Sequence, residues 1–318
     1  MKPIIVILTA VLAATSHFAL ASGPTTFDQA KIELREKVYF DRNNSDVGEL
    51  YCGCHWNWVG RSGGRVDLGS CGYEVRGQEN RAQRIEWEHV LPAYAFGSQR
   101  QCWQSGGRKN CVNNDPIFRK MEADMHNLEV SVGEVNADRS NFRYGVLPSA
   151  PNQYGACLTR TDFHQRVTEP RDHVKGAVAR IYFYMHDRYG LSMSRAQQQL
   201  LMAWHRQFPV SEWEQERDRR IARVMGHSNP FVTGDREWTL GMPMNGAGTI
   251  ARERLQHQVS GAGASSSFSP VIGNRSSNVY HLPEGCPSYG KVGERNRIEF
   301  MSAVDAEIAG FKLAGNCR

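Results

Sequence analysis

The stretch RIEWEHVLPAYAFG, residues 84–97, sets Glu86 and Glu88 on either side of Trp87, follows them with His89 and closes with Pro92. On a strand the two carboxylates share a face and His89 points the other way. Carboxylates about 5 Å apart are the equipment of a retaining glycosidase, but the adjoining histidine and the lack of a sugar-stacking aromatic platform weigh against it. A zinc protease would show H-E-x-x-H and a serine hydrolase G-x-S-x-G, and neither occurs. What fits is a histidine base beside a ligand for a hard cation. Neutral imidazole, with an ordinary pKa of ~6.5, takes a proton from water at physiological pH. A carboxylate oxygen with an amide oxygen suits Mg²⁺, which keeps several waters and accepts a substrate phosphate. The amide has to come from another segment. PIFRKMEADMHNLEVSVGEVNADRSNF (116–142) offers Asn127, Asn136 and Asn141, with Glu122 and His126 upstream.

The elements that must hold these groups are mixed. TTFDQAKIELREKVYFD (25–41) has apolar residues near helical spacing. VKGAVARIYFYMHDRYG (174–190) puts Val178, Ile181, Tyr182 and Met185 on one helical face, with Gly190 as a stop. MSRAQQQLLMAWHRQFP (193–209) predicts a further helix, and SEWEQERDRRIARVMG (211–226) another, in which Ser211 and Glu214 form a capping box and Gly226 ends the run. His186 and His205 lie on these helices and read as ordinary surface or core histidines. Between the first helix and these, YCGCHWNWVG (51–60), RSGGRVDLGSCGYEV (61–75) and RIEWEHVLP (84–92) are short strand-like or turn-rich segments. The class is α+β, mostly helical with short strands.

Residues 1–21 combine Lys2, the apolar IIVILTAVLAA (4–14) and the small residues Ala19-Leu20-Ala21, the pattern of a secretory signal peptide. No later segment approaches the roughly 20 apolar residues of a membrane span, so export to the periplasm or beyond is expected. All eight cysteines follow the leader, and in an exported chain an even count favours disulfides. The net charge is +5, one less without Lys2, and arginine-rich in RDRRIAR (217–223). That balance is compatible with a polyanionic partner without requiring one. Residues 22–235 read as one globular unit, 236–272 as a linker rich in Gly, Ala and Ser around a short helix at 249–258, and 273–318 as a small cysteine-containing module.

Five segments, RIEWEHVLPA, GSQRQCWQSGGRKNC, DPIFRKMEADMHNLEVSVGEVNADRSNF, RGQENRAQ and GAVARIYFYMHDRYGL, closely resemble the bacterial endonuclease I family over roughly residues 25–235. These are exported, sequence-non-specific nucleases of the ββα-metal (His-Me finger) type. The resemblance implies that Glu88 and Asn136 are metal ligands, His89 is the general base and Arg108 contacts the phosphate. Glu122 and His126 match supporting positions, and Glu86 matches one with no defensible role. It also implies hydrolysis of DNA and RNA to 5′-phosphate products with one Mg²⁺, for which Ca²⁺ or Mn²⁺ could substitute, by a chain expected to be a monomer. Because Glu88 and His89 must serve one centre, the strand should end or bulge there.

On the same resemblance the expected disulfides are Cys54–Cys71, Cys102–Cys111 and Cys52–Cys157. The family usually carries a further cysteine where this chain has Gln215, and another after the equivalent of NPFV (229–232); both are missing here. Residues 274–317 lie outside the family pattern and look like a small module appended to some secreted nucleases, distantly similar to the metal-binding module of the Ada DNA-repair protein. A Cys286–Cys317 bridge is the simpler expectation, with zinc at those cysteines and His281 as the alternative. A rival reading for the whole chain is a DNA-binding or uptake protein without turnover, which would shift DNA in Mg²⁺ but leave it intact.

Overall fold

The computed structural model describes residues 23–249, 270–300, 303–308 and 311–317. The expected leader lies outside the described residues, as do 250–269 of the expected linker and all but Thr249 of its short helix. The chain divides into two bodies, Met1–Thr249 and Ile250–Arg318.

The first body is α+β. Its main sheet has four strands in the order β1-β2-β3-β4, all antiparallel: β1 (His55–Val59), β2 (Gly63–Asp67), β3 (Arg84–His89) and β4 (Leu128–Val132). Helix α1 (Phe27–Glu33) precedes the sheet, capped by the Thr26 hydroxyl accepting from the Gln29 N–H, and runs on as a wider π-turn over Leu34–Val38. Between β2 and β3 lies α2 (Glu79–Ala82). Four short helices join β3 to β4: α3 (Ala93–Gly97), α4 (Gln101–Gln104), α5 (Gly107–Asn114) and α6 (Pro116–Glu122). Directly after β4 comes α7 (Gly133–Arg139). A small three-stranded sheet, β5 (Arg143–Tyr144), β6 (Arg160–Asp162) and β7 (Val167–Glu169), leads to the long helices α8 (Asp172–Tyr189), α9 (Arg195–Gln207) and α10 (Glu212–Met225), and then α11 (Pro230–Thr233).

Helix α8 is the centre of the core. Val178, Ile181, Tyr182 and Met185 are buried as their spacing predicts, but so are Lys175, Arg180, His186 and Asp187 on other faces. The one-sided amphipathic reading is therefore too narrow. Each extra polar group is matched internally: Arg180 pairs with Glu214 on α10 at 2.6 Å, and the His186 Nδ1–H donates to the Leu191 carbonyl at 2.9 Å. The same pairing alters the predicted capping box. The Ser211 hydroxyl accepts from the Glu214 N–H at 3.2 Å, but the Glu214 carboxylate turns to Arg180. A buried guanidinium outcompetes a backbone N–H for that carboxylate because leaving it unpaired costs more.

Residues 236–249, expected within the linker, are held on this body. Trp238 is buried against Phe183 with ring centroids 4.8 Å apart, and Arg236 pairs with Asp187 at 2.9 Å. Two arginines of the cluster 217–223 are also spent structurally: Arg217 is buried on Glu129, and Arg220 pairs with Asp41 and Glu216.

The second body is a four-stranded sheet in the order β10-β8-β9-β11, from β8 (Val271–Asn274), β9 (Val279–His281), β10 (Arg297–Phe300) and β11 (Lys312–Leu313), with helix α12 (Ala303–Ile308). Val271, Tyr280, Ala306 and Phe311 form its core. Disulfides join Cys52 to Cys157, Cys54 to Cys71, Cys102 to Cys111 and Cys286 to Cys317. His281 lies beside the last of these, its ligand atom and the two sulfurs all within 4.8 Å of one another.

Candidate active site

Strand β3 pairs with β4 without a bulge through Glu88↔Glu129 and His89↔Leu128, and it ends at His89. The end or bulge expected for a shared centre does not fall between Glu88 and His89; the strand ends directly after them. Strand β2 covers only the rungs at Arg84 and Ile85. From Glu86 onward that edge of β3 has no strand beside it among the described residues, and a cleft of about 490 Å³ lies along it. Glu86, Glu88, His89, Arg108 and Asn136 all line this cleft, together with Phe27, Lys31, Arg81 and Arg139.

Glu88 is buried, and one oxygen is fully engaged. The Tyr51 hydroxyl and the Arg139 Nη1 donate to Oε1 at 2.6 and 2.8 Å. Oε2 has no protein partner among the described residues and belongs to the cleft. Burial pushes the carboxyl above its ordinary pKa, while Arg139 and the Tyr51 hydrogen bond pull the other way. Arg139 also donates to the carbonyls of His89 (3.0 Å) and Val90 (2.6 Å), and so ties down the strand end beyond its last rung. This clamp escaped the sequence reading, although Arg139 sits one helical turn after Asn136 in the quoted segment. Nothing in the sequence marks Tyr51.

The ring of His89 is fixed by its Nε2, 2.8 Å from the carbonyl oxygen of Glu122. A carbonyl only accepts, so Nε2 carries the proton and Nδ1 is left as a free acceptor. Burial, chiefly, holds the imidazole pKa down to about 3. The ring packs on Phe27 from α1, centroids 4.6 Å apart. The result is a neutral base of defined tautomer at pH 7.

Arg108 is presented by a turn in which Gly106 (φ +146) and Gly107 (φ +63) adopt conformations that side chains rarely take. The Cys102–Cys111 disulfide closes the loop around it. Its Nε donates to Glu122 Oε1 at 2.7 Å, while the side chain remains 46% exposed. Glu122 therefore supports two groups, His89 through its carbonyl and Arg108 through its carboxylate.

Of the three amides offered by sequence, only Asn136 reaches the cleft. Asn127 is wholly buried, bonding Leu91 N–H and C=O, and the Asn141 side chain accepts from Arg166. His126, expected to support the site, lies outside the cleft. Its Nε2 donates to the His227 carbonyl at 3.0 Å and its Nδ1 faces Asp218 at 3.5 Å. It pins the turn after α10 to the segment ahead of β4.

A carboxylate oxygen of Glu88 without a partner among the described residues and the side-chain amide of Asn136 line the same polar cleft, and their oxygens make a donor set of the hard, oxygen-only kind. The set fits Mg²⁺ or a similar divalent cation, not a thiophilic metal.

Residues 26–235 match the family model described as Endonuclease I. A periplasmic deoxyribonuclease of Aeromonas hydrophila is 46% identical over 222 residues, which span 67% of this chain and 93% of the relative. An extracellular deoxyribonuclease of the same species is 46% identical over 233 residues, 73% of this chain and 97% of the relative. An extracellular ribonuclease of Bacillus subtilis is 30% identical over 160 residues, 40% of this chain and 53% of its own length.

Proposed function

The chain belongs to the endonuclease I family and is an exported nuclease, and on that premise we propose that it hydrolyses phosphodiester bonds of DNA, and of RNA, with one Mg²⁺ and His89 as the general base. The observation that carries this reading is the meeting of a neutral histidine, a half-free carboxylate, an amide and an arginine in a single cleft. The β3–β4 pair followed by α7 is then the ββα-metal element that the resemblance implies.

Glu88 Oε2 and Asn136 Oδ1 would hold the cation, which supplies Lewis acidity to a phosphoryl oxygen and to the leaving 3′ oxygen when bound. His89 Nδ1 takes the proton of the attacking water, and Nε2, already bonded to the Glu122 carbonyl, steadies the positive charge that forms on the ring. Arg108 directs its free Nη groups at the phosphate, a planar fork suited to that anion. Arg139 and Tyr51 hold Glu88 in place by occupying its other oxygen. Every group named reads phosphate or water and none reads a base edge, which accounts for cleavage without sequence preference, leaving 5′-phosphate ends. The names of the Aeromonas relatives favour DNA, and that of the Bacillus relative favours RNA as well.

The test is plasmid and RNA degradation by the oxidised mature protein, in Mg²⁺ and in EDTA, beside His89→Ala. Cleavage lost in EDTA and reduced on the order of 10²–10⁴-fold in the variant is the expected result. Nucleic acid bound but intact under every condition would favour the binding-protein alternative.

A further inference from the structure

Glu86 has no part in the mechanism above, yet it lines the same cleft and is among the most heavily bonded side chains there. Its Oε1 accepts from Arg81 Nε at 3.0 Å and from Arg84 Nε at 2.9 Å; its Oε2 accepts from Arg81 Nη2 and from Asn136 Nδ2, the latter at 3.4 Å. Two arginines thus fix a carboxylate against the amide that is proposed to hold the cation.

A side-chain amide has two unlike ends, and only its oxygen can ligate a cation. Turned over, Asn136 would present N–H groups to the cation and repel it. A carboxylate accepts and never donates, so the Glu86 carboxylate decides which end of Asn136 faces it. We infer that Glu86 is a positioning residue that holds Asn136 Nδ2 and so leaves Oδ1 for the metal, an inference that rests on the metal reading given above.

The backbone is shaped to permit this contact. A Cβ on Gly133, the first residue of α7, would come within 2.9 Å of the Glu86 side chain and 2.6 Å of the Arg81 carbonyl. Only glycine lets α7 begin so close to β3, with Asn136 one turn further on. The Arg81–Glu86–Asn136 chain is therefore a built feature of the β3–α7 junction.

The experiment compares Mn²⁺ binding, counted as free Mn²⁺ by electron paramagnetic resonance, in four oxidised full-length proteins: wild type, Glu86→Ala, Asn136→Asp and the double variant. An aspartate presents oxygen whichever way it turns, so it needs no orienting partner. Glu86→Ala is expected to weaken Mn²⁺ binding roughly 10–100-fold in the natural background and not at all in the Asn136→Asp background. Equal losses in both backgrounds would mean a merely structural role, and no loss in either would also overturn the inference. Should Glu86→Ala fail to fold, as judged by near-ultraviolet circular dichroism, Glu86→Gln takes its place, since its amide no longer dictates which end of Asn136 it meets. The same dependence on background is then required, with a smaller loss. A wild-type protein that binds no Mn²⁺ would instead strike down the proposed metal site itself.

Discussion

Glu88 and Glu129 are register partners across β3 and β4, and their surroundings are near copies. Each is buried with one arginine and one tyrosine: Glu88 with Arg139 and Tyr51, Glu129 with Arg217 and Tyr39. Burial raises the pKa of both. They differ in what remains. The arginine takes Oε1 of Glu129 and the tyrosine takes Oε2, whereas both partners of Glu88 crowd onto Oε1 and leave Oε2 to the cleft. A buried charge with every oxygen occupied is architecture. A buried charge with one oxygen withheld from the protein is the makings of a ligand.

The sharpest test of that difference is a pair of glutamine substitutions. Glu88→Gln should lower nuclease activity on the order of 10²–10³-fold, the scale on which a single preorganised electrostatic partner acts, and should also destabilise by about 3–5 kcal/mol because Arg139 is left buried without its counter-charge. Glu129→Gln should leave activity nearly intact but destabilise by about 3–5 kcal/mol, because Arg217 is left buried without its counter-charge. Activity against plasmid and urea unfolding, measured on both, read the two axes. A folded Glu129→Gln protein without activity would erase the distinction.

The same contrast recurs between His89 and His126, and it yields a smaller effect. Both rings are buried and both are held neutral, their pKa values lowered to about 3, chiefly by desolvation. His89 keeps Nδ1 open to the cleft, whereas His126 uses Nε2 on the His227 carbonyl and turns Nδ1 to Asp218. His186 resembles His126, with a pKa lowered to about 4. Between the unfolded value of 6.5 and these folded values the unfolded chain binds a proton that the folded chain refuses, so stability falls as pH falls through that window. Each such histidine contributes about 1.4 kcal/mol per pH unit once the pH is well below 6.5. Replacing His126 and His186 by asparagine should flatten the loss of urea stability between about pH 7 and about pH 5. An unchanged slope would show that these rings are not the groups that refuse the proton.

How far the sequence carried this distinction depends on which residues did the work. The long helices α8, α9 and α10 were legible because apolar spacing, Ser caps and the stops at Gly190 and Gly226 agree. The cleft residues stood in uncommon local strings, so Glu88, His89, Arg108 and Asn136 could be named before any fold. His126 lay in one of the same strings and matched a supporting position of the family, although its ring meets the turn after α10 rather than the cleft. The roles of Arg139 and Tyr51 were invisible because they depend on contacts across 51 and 37 positions of sequence, and that of Glu86 because it depends on Asn136, 50 positions away. Local pattern reveals which groups have the right chemistry; only tertiary pairing reveals which of their atoms are left free.

The arginines repeat the comparison once more. Arg139 is wholly buried and divides its donors among Glu88, two carbonyls and Tyr182, while Arg108 is half-exposed and commits only Nε, to Glu122. Only the Arg108 side of this pair is exposed and Glu122 is buried, so Arg108→Ala should cost more than the about 0–1 kcal/mol of a surface pair and less than the about 3–5 kcal/mol of a fully buried one. If its free Nη groups meet a phosphate, however, removing them removes one counterion-releasing contact. The slope of log affinity for duplex DNA against log salt concentration should then become shallower by about one unit. That slope is measurable without cleavage by placing Arg108→Ala in the His89→Ala background and titrating both proteins with DNA across salt concentrations. A uniform loss of affinity with an unchanged slope would assign Arg108 to holding Glu122, and through it His89, and would leave the phosphate to other cations of the cleft such as Lys31 and Arg81.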